Sequence, residues 1–273
     1  MLQYYTPVAH CVKAMFQYLI LCHVVVTARS PVMIWCLLKG LWIDPRMGSA
    51  KGQKLTIAYP PVAVASAALS GSGRRSVRRY KADAVDPETV EDLLRAAIAA
   101  PSAHNRQPWR FAVIDSFDRK AALATSMGER LRIDRLRDGD DEGDVERDVE
   151  RSYARIVSAP VIVVVCMTME DMDVYPDPVR SRCEHLMAVQ STAMAGANLL
   201  LAAHAVGLGG CWLCAPLFCP DVIGQVLGLP AHWQAQGMVT LGYPSADPKP
   251  FMRRSIRDVT VFFRSGGTGS SGT

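Results

Sequence analysis

The stretch APVIVVVCM at 159–167 constrains the fold more than any other. It is a continuous run of mostly β-branched residues with no polar residue alternating between them. Branching at Cβ favours the extended chain, and an unbroken apolar run is the pattern of a strand buried on both faces. A half-solvated strand would alternate polar and apolar residues instead. The run therefore predicts an interior strand in a sheet with both faces covered.

The segments around it predict alternating elements. DPETVEDLLRAAIAA (86–100) predicts a helix. Asp86 can cap it, Pro87 suits its first position, and Glu88 favours its positive end. Val90, Leu93, Leu94 and Ala97 share one face at helical spacing, and Pro101 ends the helix. WRFAVID (109–115) predicts a strand, RKAALATSMGERLRIDRL (119–136) one or two helices, and RDGDDEGDVERDVE (137–150) a solvated acidic segment. That segment only superficially matches a calcium loop, because its twelfth position is Val149 rather than Glu.

RSRCEHLMAVQSTAMAGANLLLAAHAVGLG (180–209) predicts a long helix ending in glycines. Its middle is apolar nearly all round, which predicts a central position or a subunit interface. Ala193, Ala195, Gly196 and Ala197 would let another helix approach closely. CPDVIGQVLGLP (219–230) predicts a further helix and GMVTLGYP (237–244) a further strand. Together these predict an α+β or α/β domain over about residues 70–264, with a Gly/Ser-rich tail at 265–273 expected to be disordered.

Composition narrows the class. With 49% hydrophobic and 21% charged residues the chain reads as a soluble globular protein. The net charge of +4 is spread over interspersed acidic and basic residues, so charge alone does not predict a nucleic-acid partner. The eight cysteines do not form a secreted disulfide framework in so long a chain, and reduced, mostly buried thiols in a cytoplasmic protein are expected. The apolar run at 14–28 falls short of the roughly 20 residues that span a bilayer. A second run, PVMIWCLLKGLWI, is broken by Lys39 and Gly40. Residues 1–69 are expected to be an N-terminal extension, disordered or the product of a mis-assigned start, with Met47 the alternative start; no membrane anchor is expected.

Few motifs carry chemistry. GLGGCW follows a helix rather than a strand and lacks the last glycine of a dinucleotide fingerprint, where Trp212 stands. CWLC (211–214) has no second pair to complete a metal site and reads as small packing residues in a loop. There is no nucleophile elbow, zinc-protease helix or P-loop. His104, His185, His204 and His232 are scattered, and no metal site is expected. If the chain is an enzyme, a cofactor carries the reaction. The cluster Arg74, Arg75, Arg78, Arg79 and Lys81, with Ser76, is open to three readings: a solvated patch, a nucleic-acid patch or a phosphate clamp, to which Arg253 and Arg254 could contribute. APSAHNRQPWRF (100–111) is a polar, proline-pinned loop suited to holding something flat and polar.

Three ordered segments, RRSVRRY, APSAHNRQPWRF and GANLLLAAHAVGLGGCW, give the chain a resemblance to the FMN-dependent nitroreductase family over about residues 70–262. The resemblance implies an α+β fold with a mainly antiparallel sheet wrapped by helices, in an intertwined homodimer with two FMN sites at its interface. It implies that Pro101, Ser102, Ala103, Asn105 and Gln107 hold the flavin ring or ribityl chain. Arg74, Arg75, Ser76 and Arg78 would contact the phosphate and ring oxygens, with Arg253 or Arg254 added. Gly210, Trp212, Leu213 and Cys214 would pass the flavin, a backbone N–H near Leu213 or Cys214 facing N5. The implied cycle is ping-pong hydride transfer without a side-chain acid–base pair.

Within the family, MGERLRIDRLRDGD and ERSYARIVSAPVIVVVC resemble the nitroreductase-like domain tied to biosynthesis of the deazaflavin coenzyme F-420, here without its glutamyl ligase domain. This implies reduction of a dehydro precursor, with Arg130 and Arg132, and Arg135 beside them, available for its anionic groups. The plainer reading is an exposed arginine face paired with Asp134 and Asp138. A generalist NAD(P)H-dependent reductase of nitro compounds or quinones, and a non-catalytic flavin or deazaflavin binding protein, remain as alternatives.

Overall fold

The computed structural model describes residues 73–246 and 251–263. The expectations for 1–69 and 265–273, including the apolar runs and Cys11, Cys22 and Cys36, lie outside the described residues. The element order is α1 (Pro87–Ile98), β1 (Trp109–Ile114), α2 (Phe117–Arg137), α3 (Glu142–Val157), β2 (Val161–Met167), α4 (Pro178–Ala205), β3 (Gly209–Leu213), α5 (Pro220–Leu227), β4 (Gln234–Gly242) and the short α6 (Ile256–Val259). The strands form one sheet in the order β1-β2-β4-β3, with every pair antiparallel.

All seven residues of β2 are buried. Successive side chains of a strand point to opposite faces. Val161, Val163 and Val165 pack with Leu93 and Ala97 of α1 and Leu199 and Ala203 of α4. Ile162, Val164 and Cys166 pack with Leu123 and Met127 of α2, Ile156 of α3 and Ile223 of α5. The sheet is thus the middle of three layers, and each β2 side chain that leaves water contributes about 1.5–3 kcal/mol.

Local signals set the helix starts. The Asp86 side chain accepts from the Glu88 backbone N–H, and Pro87 occupies the first turn of α1. α4 is the predicted long helix, capped by Asp177, which accepts from Arg180 N. Its Ala188, Ala195, Leu199 and Ala202 are buried, while Leu186 and Met194 are exposed. Its most apolar window has a mean hydropathy of 1.4 and is 44% buried. The sheet therefore accounts for only one side of this helix.

One expectation is extended and one corrected. The acidic stretch 137–150 is mostly exposed, as expected, but it is largely helix and not irregular chain: α3 starts at Glu142, where Asp141 accepts from Asp144 N, and Val145 is fully buried. Val145, Val149 and Ile156 supply an apolar face that the surrounding charge obscured. Along it, α2 comes so close that a Cβ on Gly128 would meet Val149 Cγ1 at 3.0 Å. The CWLC stretch is not a loop either, since Cys211–Leu213 belong to β3.

Candidate active site

The loop between α1 and β1 has an unusual backbone. His104, Asn105 and Gln107 have φ of 50°, 55° and 50°. Non-glycine residues in this left-handed region cost roughly 1–2 kcal/mol each, less for Asn, so the surroundings must hold them there. Part of the hold is internal: Ser102 Oγ accepts from Gln107 N at 3.1 Å, and Gln107 Nε2 donates to Asn105 Oδ1 at 3.4 Å. The carbonyl of Ser102 accepts from Asn105 N at 3.0 Å. The Ser102 side chain therefore closes the loop, with its hydroxyl proton still to donate.

The rest of the hold comes from elsewhere. Ser191 Oγ on α4 accepts from Ala103 N at 3.2 Å and donates to Met187 O at 2.7 Å. Arg106 forms an ion pair with Asp173. Arg110 Nη1 donates to the Gln107 carbonyl at 3.0 Å, and Thr168 N donates to the Pro108 carbonyl at 2.9 Å. Asn105 and Gln107 remain exposed, with side-chain amides facing outward from a fixed frame.

The second candidate segment lies along β3. Ser76 forms a β-bridge with Gly210, and Val77 N donates to Gly210 O at 3.1 Å. A Cβ on Gly209 would come within 2.7 Å of Val77, so this close approach requires glycine. The bridge places Ser76 beside Gly210 on β3, with Arg74, Arg75 and Arg78 within two residues of it in the chain. Arg75 Nη1 donates to the Arg74 carbonyl at 3.0 Å. The Trp212 indole packs inward between Gly196 of α4 and Gly237 of β4. Its part in the site is to set the position of β3. Cys214, which follows, is exposed.

Both segments lean on α4, one at its middle and one near its C-terminal end. The 102–107 loop sits at Ser191, whereas Gly73, just before the arginines, lies against His204, whose Nε2 would be 3.6 Å from a Cβ there. At 1.5 Å rise per residue these points are about 20 Å apart. Arg253 and Arg254 belong to a segment, 251–263, exposed along its length, in which Arg253 stacks over the Phe251 ring at 4.7 Å.

Arg130 and Arg132 are committed to carboxylates. Arg130 Nη2 donates to Asp221 Oδ2 at 2.6 Å, tying α2 to α5. Arg132 donates to Glu146 through Nε at 2.5 Å and Nη2 at 2.8 Å, and also pairs with Glu129. These contacts raise both guanidinium pKa values and hold the Glu146 and Asp221 carboxyls below the usual carboxylate range. Arg135 binds Asp140 and Asp148. The expected partners Asp134 and Asp138 are mostly bypassed, because α3 packs alongside α2 and supplies better-placed acids; only Arg137 approaches Asp134, at 3.9 Å.

Other titratable groups serve the scaffold. The buried Lys120 donates to the Ala159 and Pro160 carbonyls at 2.6 and 3.1 Å, and desolvation lowers its pKa. Tyr80 bonds Thr240 Oγ1 at 2.7 Å, and burial raises its pKa. Cys166, Cys211 and Cys219 are buried free thiols, and burial pushes Cys166 up to about 12. No group of three or more His, Cys, Asp or Glu among the described residues is placed to hold a metal ion. Sequence reasoning missed Ser191 and Asp173, which bond the loop, and Glu184, which accepts from Asp173 N. The available signal was polar residues inside an otherwise apolar helix, at 184 and 191–192.

Comparison with known proteins matches this arrangement to one family. The model described as "Nitroreductase family" matches residues 72–243. An NADH dehydrogenase of Thermus thermophilus is 28% identical over 214 residues, 69% of this chain and 92% of that protein. A protein of Archaeoglobus fulgidus named as an NADH dehydrogenase/NAD(P)H nitroreductase is 30% identical over 188 residues, 67% of this chain and 88% of its own. Among solved structures, a nitroreductase of Desulfovibrio desulfuricans in complex with FMN is 28% identical with a TM-score of 0.56, covering 74% of this chain and 96% of that one. A BluB-like flavoprotein of Clostridium difficile is 25% identical with a TM-score of 0.60, covering 72% and 99%.

Proposed function

The chain belongs to the nitroreductase family, and from that premise we infer that it is an FMN-dependent oxidoreductase using NAD(P)H as electron donor. The observation that carries this reading is the 102–107 loop, whose exposed amides Asn105 and Gln107 are held in left-handed conformations by bonds from three other elements. Such pre-organised polar groups suit a flat, hydrogen-bonding ligand. The donor set fits FMN: amides for the ring, and Arg74, Arg75, Ser76 and Arg78 beside β3 for the phosphate. FMN, when bound, supplies hydride acceptance and donation. The chain's own work is to orient it and to present a backbone N–H near Leu213 or Cys214 to its ring, where a fixed donor stabilises developing negative charge.

We read the site as shared between two copies of the chain. The loop and the arginines of one protomer are about 20 Å apart along α4, so they meet around one flavin most simply when each copy supplies one set. The exposed outer face of α4, with Leu186, Met194 and the small Ala193 and Ala197, suits that contact. So does the apolar segment carrying Phe251, Ile256, Val261 and Phe263. Arg253 or Arg254 would reach the phosphate from that segment. A cytoplasmic setting goes with a reduced nicotinamide donor.

For the acceptor, the nitroreductase and NADH dehydrogenase names of the relatives support a generalist reductase of nitro compounds, with quinones as further candidate acceptors. The finer reading, reduction of a dehydro precursor in F-420 biosynthesis, rests on the sequence of α2 and α3. An anionic precursor would have to displace Asp221, Glu129 and Glu146 from Arg130 and Arg132. The test is a visible absorption spectrum of purified protein. Flavin bands released as FMN on heating, and lost in Ser102→Ala/Asn105→Ala, support the reading; a colourless protein that takes up no added FMN refutes it. NADPH-driven turnover of nitrofurazone against turnover of the dehydro precursor then separates the two acceptors.

A further inference from the structure

We propose that Glu184 is a positioning residue for the 102–107 loop, holding it in its left-handed form through Asp173 and Arg106. Glu184 lies on α4 and is 1% exposed, one helical turn before Ala188 of a methionine-rich cluster. A carboxyl group so buried is unfavourable unless its oxygens are used. Its Oε1 accepts from the Asp173 backbone N–H at 3.1 Å, and its Oε2 has no partner among the described residues. The visible use of this buried carboxyl group is therefore to fix the Asp173 backbone.

Asp173 carries that constraint outward. Its carboxylate grips Arg106, which lies between Asn105 and Gln107, two of the three left-handed residues. The neighbouring residues of the 168–173 segment reinforce it: Thr168 N donates to Pro108 O, and Asp171 approaches Arg110 at 3.7 Å. Glu170 is bound by His232 at 3.1 Å, which anchors the segment's other side. The segment thus straps the loop, and Glu184 is its buried fastening. The purpose of the strap, presenting Asn105 and Gln107 to a flavin, rests on the FMN reading above, whereas the strap itself does not.

The experiment compares full-length wild type with Glu184→Ala, Glu184→Gln, Arg106→Ala and the Glu184→Ala/Arg106→Ala double variant. Amide hydrogen exchange over 103–107 is read in the flavin-free proteins, and FMN affinity by quenching of flavin fluorescence. Glu184→Ala and Arg106→Ala should each speed loop exchange and weaken FMN binding about tenfold. The double variant should be no worse than the worse single one, because both break the same chain of contacts. Glu184→Gln keeps an oxygen for the Asp173 N–H and should stay within about threefold of wild type. Loop exchange unchanged in Glu184→Ala, or single effects that multiply in the double variant, overturns the proposal. Arg106→Ala removes only a surface pair and keeps the test open should the Glu184 variants fail to fold. If wild type binds no FMN, the flavin reading falls, and loop exchange alone still decides the role of Glu184.

Discussion

The Trp212 indole lies directly on Gly196: a Cβ at Gly196 would stand 2.3 Å from Trp212 Cζ3. Gly237 receives the same ring from β4, where a Cβ would stand 2.3 Å from Cζ2. One aromatic side chain is thus clamped between the long helix and the sheet, and β3 takes its height above α4 from that clamp. Since β3 also pairs with the Ser76 segment, the clamp sets where the arginines lie.

Adding one methyl at either glycine should therefore be felt at once. Gly196→Ala and Gly237→Ala should each destabilise by about 1–3 kcal/mol, the usual range for overpacking a well-filled core. Urea unfolding followed by tryptophan fluorescence measures this. A midpoint equal to wild type would show that the indole has room to move.

Ser191 joins α4 to the loop through a single acceptor. Ser191→Ala leaves the Ala103 N–H without its partner and should weaken FMN binding about two- to tenfold, the range for one hydrogen bond of about 0.5–1.5 kcal/mol. Titration by fluorescence quenching is the measurement, with a melting curve to show that the fold is retained. Unchanged affinity would remove this anchor from the site.

The pairs of α2 make the protein sensitive to acid. The Glu146 and Asp221 carboxyls are lowered chiefly by hydrogen bonds from Arg132 and Arg130. Their contribution to stability is complete above the unfolded carboxylate range, about pH 4, and is lost as pH falls through the depressed folded values. Melting temperature should hold steady down to about pH 5 and drop below about pH 4. Arg132→Ala should shallow that drop, as should added salt, because the pairs are largely exposed.

The thiols should divide by burial. Cys166 lies within β2 with its pKa pushed up to about 12, and burial also raises that of Cys219. At pH 8 neither should react with a thiol reagent in the native protein, and both should react in denaturant. Cys183 and Cys214 are exposed in the protomer. Peptide mapping by mass spectrometry reads each site separately, and native labelling at Cys166 would contradict the packing of β2.

Much of the scaffold was legible because its signals are local. Asp86 and Pro87 marked the start of α1, and the unbroken apolar run marked β2 as buried on both faces. The grouping of Arg74, Ser76 and Arg78 with Gly210 and Leu213 around a flavin came only by resemblance, to which the structure adds the Ser76–Gly210 bridge. Two local features escaped for one reason. In α3 the charges masked Val145 and Val149, and in CWLC the small residues suggested a loop where β4 provides a pairing edge. Propensity within a few residues cannot see the neighbour that decides.

Taken alone, then, the sequence determined the alternating helices and strands, the doubly buried strand, the long apolar helix and the polar loop, since period, caps and apolar runs lie within single segments; the choice of α+β over α/β came by resemblance. Tertiary structure decided what those residues do. It turned Trp212 inward onto Gly196 and Gly237, tied Arg130 and Arg132 to acids from other helices, and made Ser191, Asp173 and Glu184 the supports of the loop. Each of these is a contact between residues distant in the chain, and only the packed sheet and helices specify which distant groups come within hydrogen-bonding or van der Waals reach.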